Sequence, residues 1–262
     1  MTARAGPPLR GGDDADRDVS WVDHTGPTAV ATTQQVGHLN QHGFFVLERA
    51  FHPDTMAEVT AALTLDRGLA PAADISAPTE PPAEILRRFC SHPLLAGLAR
   101  DFVGPDASVG ADGAIVLPAR DLGHPPFRQD VTEAARPAQF ITCWIVLTEA
   151  GDGRCLQVAS GRHRAGLLRY DLTGSGPDPH VDIDPRSIVD LDVGAGSVVV
   201  MSSLTPRRVR PGSVEPPLDD DHDGLLYAIQ YVRDVIELDN VSHQRNRRRL
   251  PVVRGGQLVG PT

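Results

Sequence analysis

The chain has 262 residues, 40% of them apolar and 23% charged, which suits a water-soluble globular protein with one large core or two smaller ones. Its formal net charge of −9 argues against nucleic acid as a partner. Every basic residue other than histidine is arginine, so chemistry through a Schiff-base lysine is excluded.

Residues 1–31 are rich in Gly, Pro, Asp and Arg and lack an apolar signal core, which predicts a disordered tail. The run from Thr33 to His42 predicts a short helix closed by Gly43. Phe44-Phe45-Val46-Leu47 follows as a strand. Pro53-Asp54 opens a second helix carrying apolar Met56, Val59, Leu63 and Leu65. An Ala/Pro-rich loop is predicted over 68–82. Two further helices are predicted over 82–90 and 91–103, the second stopped by Gly104.

Beyond Gly104 the pattern changes. Residues 109–118, 139–147, 156–160, 187–193, 197–203 and 225–232 form short β-like runs between Gly, Pro and Asp clusters, and Val252-Val253 marks a last short strand. Helices followed by many short strands imply an α+β protein, mainly β, with a sandwich or barrel core. The acidic stretch Asp219 to Asp223 and the basic run Arg245 to Arg249 read as solvated surface segments. No apolar segment approaches the roughly 20 residues that span a bilayer, so no membrane association is expected. Cys90, Cys143 and Cys155 have no paired spacing, which argues against a disulfide framework and a zinc knuckle. Cys143 lies in an apolar run and predicts a buried, inert thiol. These features place the protein in a reducing cytoplasm.

Several segments, in order, resemble the phytanoyl-CoA dioxygenase family of iron- and 2-oxoglutarate-dependent oxygenases. His38 to Leu47 looks like the family's helix–Gly–strand entry, and Phe51-His52-Pro53-Asp54 like its next helix start. Phe127-Arg128-Gln129-Asp130 falls where the family has His-x-Asp. Cys143 to Thr148 resembles its central strand, and Asp152 to His163 its turn with a terminal His. Gly194 to Val200 resembles the strand leading to the distal His, whose place Arg207 takes at that strand's end. The resemblance implies a double-stranded β-helix, a cupin-like jelly roll, with flanking N-terminal helices. It divides the chain into a tail (1–31) and one domain (32–262), with a helical part at 32–104, a β core at 105–235 and a C-terminal extension at 236–262.

The family's metal site is two His and one carboxylate on one face of the iron. Arginine has five donors, no lone pair and a permanent charge, so it cannot replace imidazole as a ligand. No arginine lies between Arg210 and Arg233, where the family has a basic anchor for 2-oxoglutarate. Fe(II) and 2-oxoglutarate, expected for the family, are therefore judged lost, and no metal ligands are assigned. Arg128, Asp130 and Arg207 are expected to converge in the jelly-roll mouth, with positive charge in excess and suited to carboxylate or phosphate. The candidate catalytic residues are Asp130, His124, Arg128 and Arg207. His124 is included because imidazole titrates near neutral pH. Arg128, Arg207, Thr142 and Trp144 are the candidate substrate-binding residues. His163 is read as structural. The expected function is a metal-independent, redox-neutral cyclase, isomerase or dehydratase acting on a small acidic specialised metabolite in a bacterial pathway. The alternatives are a non-catalytic ligand binder and an active oxygenase whose ligands, such as His124 with Asp130, lie elsewhere in the alignment. The predicted partner is a small-molecule substrate.

Overall fold

A computed structural model describes residues 30–65, 81–117, 125–130, 140–149, 155–168, 183–210, 224–234 and 249–260. Of the loop predicted over 68–82, residues 81 and 82 are instead helical; its residues 68–80, the acidic stretch, His124 and the basic run up to Arg248 lie outside the described residues. So does the predicted tail up to residue 29. Val30 and Ala31 are tied down, their amides donating to Asp101 Oδ2 at 2.6 and 2.9 Å.

Local signals set the helices. Helix α1 (Thr33–His42) starts in a capping box. Thr32 Oγ1 accepts from the Gln35 amide at 3.2 Å, and Gln35 Oε1 accepts from the Thr32 amide at 2.8 Å. It stops at Gly43, whose φ of 87° is left-handed and whose amide donates to the Leu39 carbonyl. Strand β1 (Phe44–Leu47) begins at once. Helices α2 (Pro53–Leu65), α3 (Pro81–Cys90) and α4 (Pro93–Phe102) follow. The break between α3 and α4 has a clear cause. The His92 ring accepts from the Leu94 amide at 3.2 Å, and Pro93 takes the first helical position, where its missing N–H is harmless.

The remaining described strands are β2 (Ala107–Leu117), β3 (Ile141–Thr148), β4 (Leu156–Ala159), β5 (Ile188–Leu191), β6 (Val198–Ser202), β7 (Arg207–Val209), β8 (Gly224–Arg233), β9 (Leu250–Arg254) and β10 (Gln257–Leu258). They form two antiparallel sheets, one in the order β1-β6-β3-β8-β2-β9-β10 and one in the order β5-β4-β7. This is the mainly β, α+β jelly roll expected, with its helices at the N-terminal end. Strands β9 and β10 extend the large sheet past β2.

The period of two assigns faces. Ile141, Cys143, Ile145 and Leu147 of β3 join Val198 and Val200 of β6 and Tyr227, Ile229 and Tyr231 of β8 in a core with the helices. The alternate residues Trp144, Val146, Val199, Met201 and Leu226 meet Leu156, Val158 and Leu191 of the small sheet in a second core. Strand β3 is covered on both faces, which is why its sequence is apolar without alternation. Among the described residues, no helix is long and apolar enough to cross a membrane.

Candidate functional site

Arg207 departs from its expected place. Strand β6 ends at Ser202, and the chain turns through Ser203 to Pro206, with the Thr205 amide donating to the Ser202 carbonyl. Arg207 then opens β7, in the other sheet, opposite Val158 of β4. The turn carries the chain from one sheet to the other. Pro206, which has no amide hydrogen to give to a ladder, is the last residue of this turn.

That crossing brings Arg207 to the motif segment. The amides of Arg128 and Arg207 each donate to the other's carbonyl at 2.9 Å, one antiparallel bridge. Two residues on, the Asp130 amide donates to the Ser203 carbonyl at 3.0 Å. Gln129 between them is buried and serves as a spacer. Its side-chain NH2 donates to the Gly166 and Leu204 carbonyls at 3.0 and 2.6 Å, and its Oε1 accepts from the Leu168 amide at 2.9 Å.

The side chain of Asp130 is the centre of the cluster and only 2% exposed. Arg207 donates to its Oδ1 twice, from Nε at 2.8 Å and from Nη2 at 2.6 Å. Thr142 Oγ1 donates to its Oδ2 at 2.6 Å. The Arg207 guanidinium also lies over the Trp144 ring, 4.3 Å from its centroid, a cation–π contact. Thr142 and Trp144, two apart on β3, thus both serve this cluster. Arg128 is half-buried at its edge. Of the expected site residues, the structure joins Asp130, Arg207, Thr142 and Trp144 through side chains and Arg128 through its backbone.

Beyond Trp144 the interior row of β3 continues with Val146 and Thr148, and there the two sheets enclose a cavity of about 250 Å³. Leu117, Leu156, Leu191, Val199 and Leu226 supply its apolar wall. Cys155 adds a thiol pushed up to about 11, by burial first and by Asp190 next, so it stays neutral near pH 7. Glu149 and Asp192, both exposed, stand at the mouth. Sequence reasoning did not find this cavity. Strand parity from Trp144 reaches Val146 and Thr148, but Asp192 enters only through the apposition of the sheets.

The turn residue His163 is fully buried, with Nε2 3.1 Å from the Asn40 carbonyl oxygen. Burial is the first cause of a pKa pushed down to about 4, with Arg164 and His42 adding to it against the Asn40 contact. Among the described residues, no three His, Cys, Asp or Glu side chains gather as a metal site.

No family model matches the sequence, and no curated protein matches it. Solved structures do. The non-heme monooxygenase ThoJ is 20% identical with a TM-score of 0.60, over 77% of this chain and 78% of that one. EvdO2 from Micromonospora carbonacea var. aurantiaca, complexed with 2-oxoglutarate, is 19% identical with a TM-score of 0.59, over 78% of this chain and 91% of that one. The epimerase SnoN, in complex with Fe3+, alpha ketoglutarate and nogalamycin RO, is 16% identical with a TM-score of 0.61, over 84% and 94%. By fold, this chain is therefore similar to iron- and 2-oxoglutarate-dependent oxygenases of the phytanoyl-CoA dioxygenase type, and shares their double-stranded β-helix.

Proposed function

We propose that this chain is a tailoring enzyme built on an oxygenase scaffold, which works without iron or 2-oxoglutarate and leaves its substrate's oxidation level unchanged. The single observation carrying this reading is the clasp of Arg207 and Thr142 on Asp130. The residues at the family's ligand positions do not fit a ferrous ion. Arg128 and Arg207 have no lone pair to give. Asp130, the one ligand-type residue of the three, is held by a guanidinium that a divalent cation would have to displace. Fold similarity alone does not assign a reaction, and SnoN and EvdO2 were solved with iron-site or co-substrate molecules bound. SnoN is an epimerase, and epimerisation is redox-neutral overall.

In this reading Asp130 moves a proton. Its Oδ2 accepts one hydrogen bond, from Thr142, and keeps a lone pair. A proton α to a substrate carbonyl would pass to that oxygen, and the electron pair would move onto the carbonyl oxygen. Arg128, at the cluster's edge, would stabilise that oxyanion. Return of the proton to a different carbon, or expulsion of a β-hydroxyl as water, completes an isomerisation or a dehydration without an oxidant. Arg207 positions Asp130.

The test is an Fe(II) titration of purified protein with 2-oxoglutarate present, followed by calorimetry. No stoichiometric binding is expected at micromolar iron. One equivalent bound at micromolar affinity, and lost with Asp130→Ala, overturns the proposal.

A further inference from the structure

Trp144 links the ion cluster to the cavity and carries an unmet requirement. Its side chain is 1% exposed, and its indole Nε1 is buried with no hydrogen-bond partner among the described residues. A buried donor left unsatisfied is costly, so such groups in folded proteins generally find an acceptor. The Arg207 guanidinium over the ring is all donor and cannot supply one. Trp144 lines the cavity, whose other lining residues are Leu, Val, Cys and Gly with Thr148, Glu149 and Asp192, and none of these accepts from the indole N–H. Among the described residues, the charge at the opening is negative, from Glu149 and Asp192. Glu149 is fixed there, its Oε1 accepting from the Ala195 amide at 3.1 Å.

We propose that this cavity is a ligand site for a small apolar molecule with a carbonyl-type oxygen at one end and a cationic amine at the other. The oxygen accepts the indole N–H of Trp144, the apolar body fills the Leu/Val interior, and the amine meets Glu149 and Asp192. This reverses the sign expected of the ligand from sequence. The charge of Arg207 is already met by Asp130, and the described wall of the cavity holds two carboxylates and no guanidinium. The inference concerns the ligand alone, and it stands or falls independently of how the chain treats iron.

Three matched probes test it by isothermal titration calorimetry on the full chain. They are para-acetylbenzylamine, para-ethylbenzylamine, which lacks the oxygen, and para-acetylbenzoate, which reverses the charge. The first is expected to bind most tightly. The second should bind about three- to tenfold more weakly, the worth of one hydrogen bond. The third should bind about tenfold more weakly or not at all. Trp144→Phe should remove the preference for the acetyl over the ethyl group. Glu149→Gln with Asp192→Asn should remove the preference for cation over anion; both are exposed, so that variant is not expected to disturb folding. Equal binding of anion and cation by the wild-type chain overturns the proposal without any mutant. So does the absence of binding by all three probes at millimolar concentration, or an acetyl preference that survives in a folded Trp144→Phe chain.

Discussion

Asp130 shows how the partner of a buried carboxylate sets its role. With imidazole at the Arg207 position, the carboxylate would face a neutral ring. With guanidinium there, it becomes half of an ion pair whose side chains are 2% and 15% exposed. Removing one partner of such a pair leaves a buried charge, which is far more damaging than removing a neutral hydrogen bond. Arg207→Ala is therefore expected to lower unfolding stability by about 3–5 kcal/mol, and Thr142→Val by only about 1–2 kcal/mol. Urea unfolding of both variants measures the ordering. Near-equal losses would mean that Arg207 contributes little more than any neutral donor. The identities of Asp130 and Arg207 as a pair were legible from the motif. That Thr142 would spend its hydroxyl on Asp130 was not, because it depends on where the segment after Phe127 lies against β3.

The junction of α1 with β1 shows the same division for elements. Gly43 was read as a helix stop, and its φ of 87° bears that out. Its second role is invisible in sequence. A Cβ built there would stand 2.4 Å from Thr205 Oγ1 and 2.6 Å from His163 Nδ1. The turn after β6 and the turn after β4 both pack on this glycine, and Thr205 Oγ1 donates to its carbonyl at 2.8 Å. Gly43→Ala combines about 1 kcal/mol of left-handed strain with a displacement of two buried side chains. A total loss above about 2 kcal/mol is expected by chemical denaturation. A loss confined to about 1 kcal/mol would show that the two turns yield freely. Strands β3, β6 and β8 were found from their apolar runs. Strand β7 was missed, because Arg207-Arg208-Val209 has neither apolar character nor alternation, and only its pairing with β4 makes it a strand.

Over the whole molecule, buried histidine links stability to pH. His163 joins the helical layer to the small sheet's turn while buried and neutral. Its folded pKa, pushed down to about 4, lies below the ordinary imidazole value of 6.5. Below pH 6.5 the unfolded chain takes up a proton that the folded chain refuses, so stability falls as pH drops from 6.5 towards 4 and is unaffected above that window. His42 and His92 are lowered in the same direction, each by burial first. At about 1.4 kcal/mol per unit, His163 alone accounts for roughly 3 kcal/mol. Urea midpoints at pH 7.5 and 4.5 should differ less in His163→Gln than in the wild type; an unchanged difference would clear His163 of the effect.

What the sequence determined alone is whatever depends on neighbours along the chain. This includes the helix caps and stops, the buried strands with their two faces and the mainly β, α+β class; the jelly roll itself was implied by the family resemblance. What only the tertiary structure decided depends on contacts between distant segments. The turn through Pro206 places Arg207 in the small sheet, Asp130 is bound from both sides, and the two sheets enclose a cavity whose carboxylates follow β3 of one sheet and β5 of the other. Side-chain preference is local and can be read residue by residue. The sign of charge in a cavity is a sum over segments brought together by folding, and no window of sequence contains all of its terms.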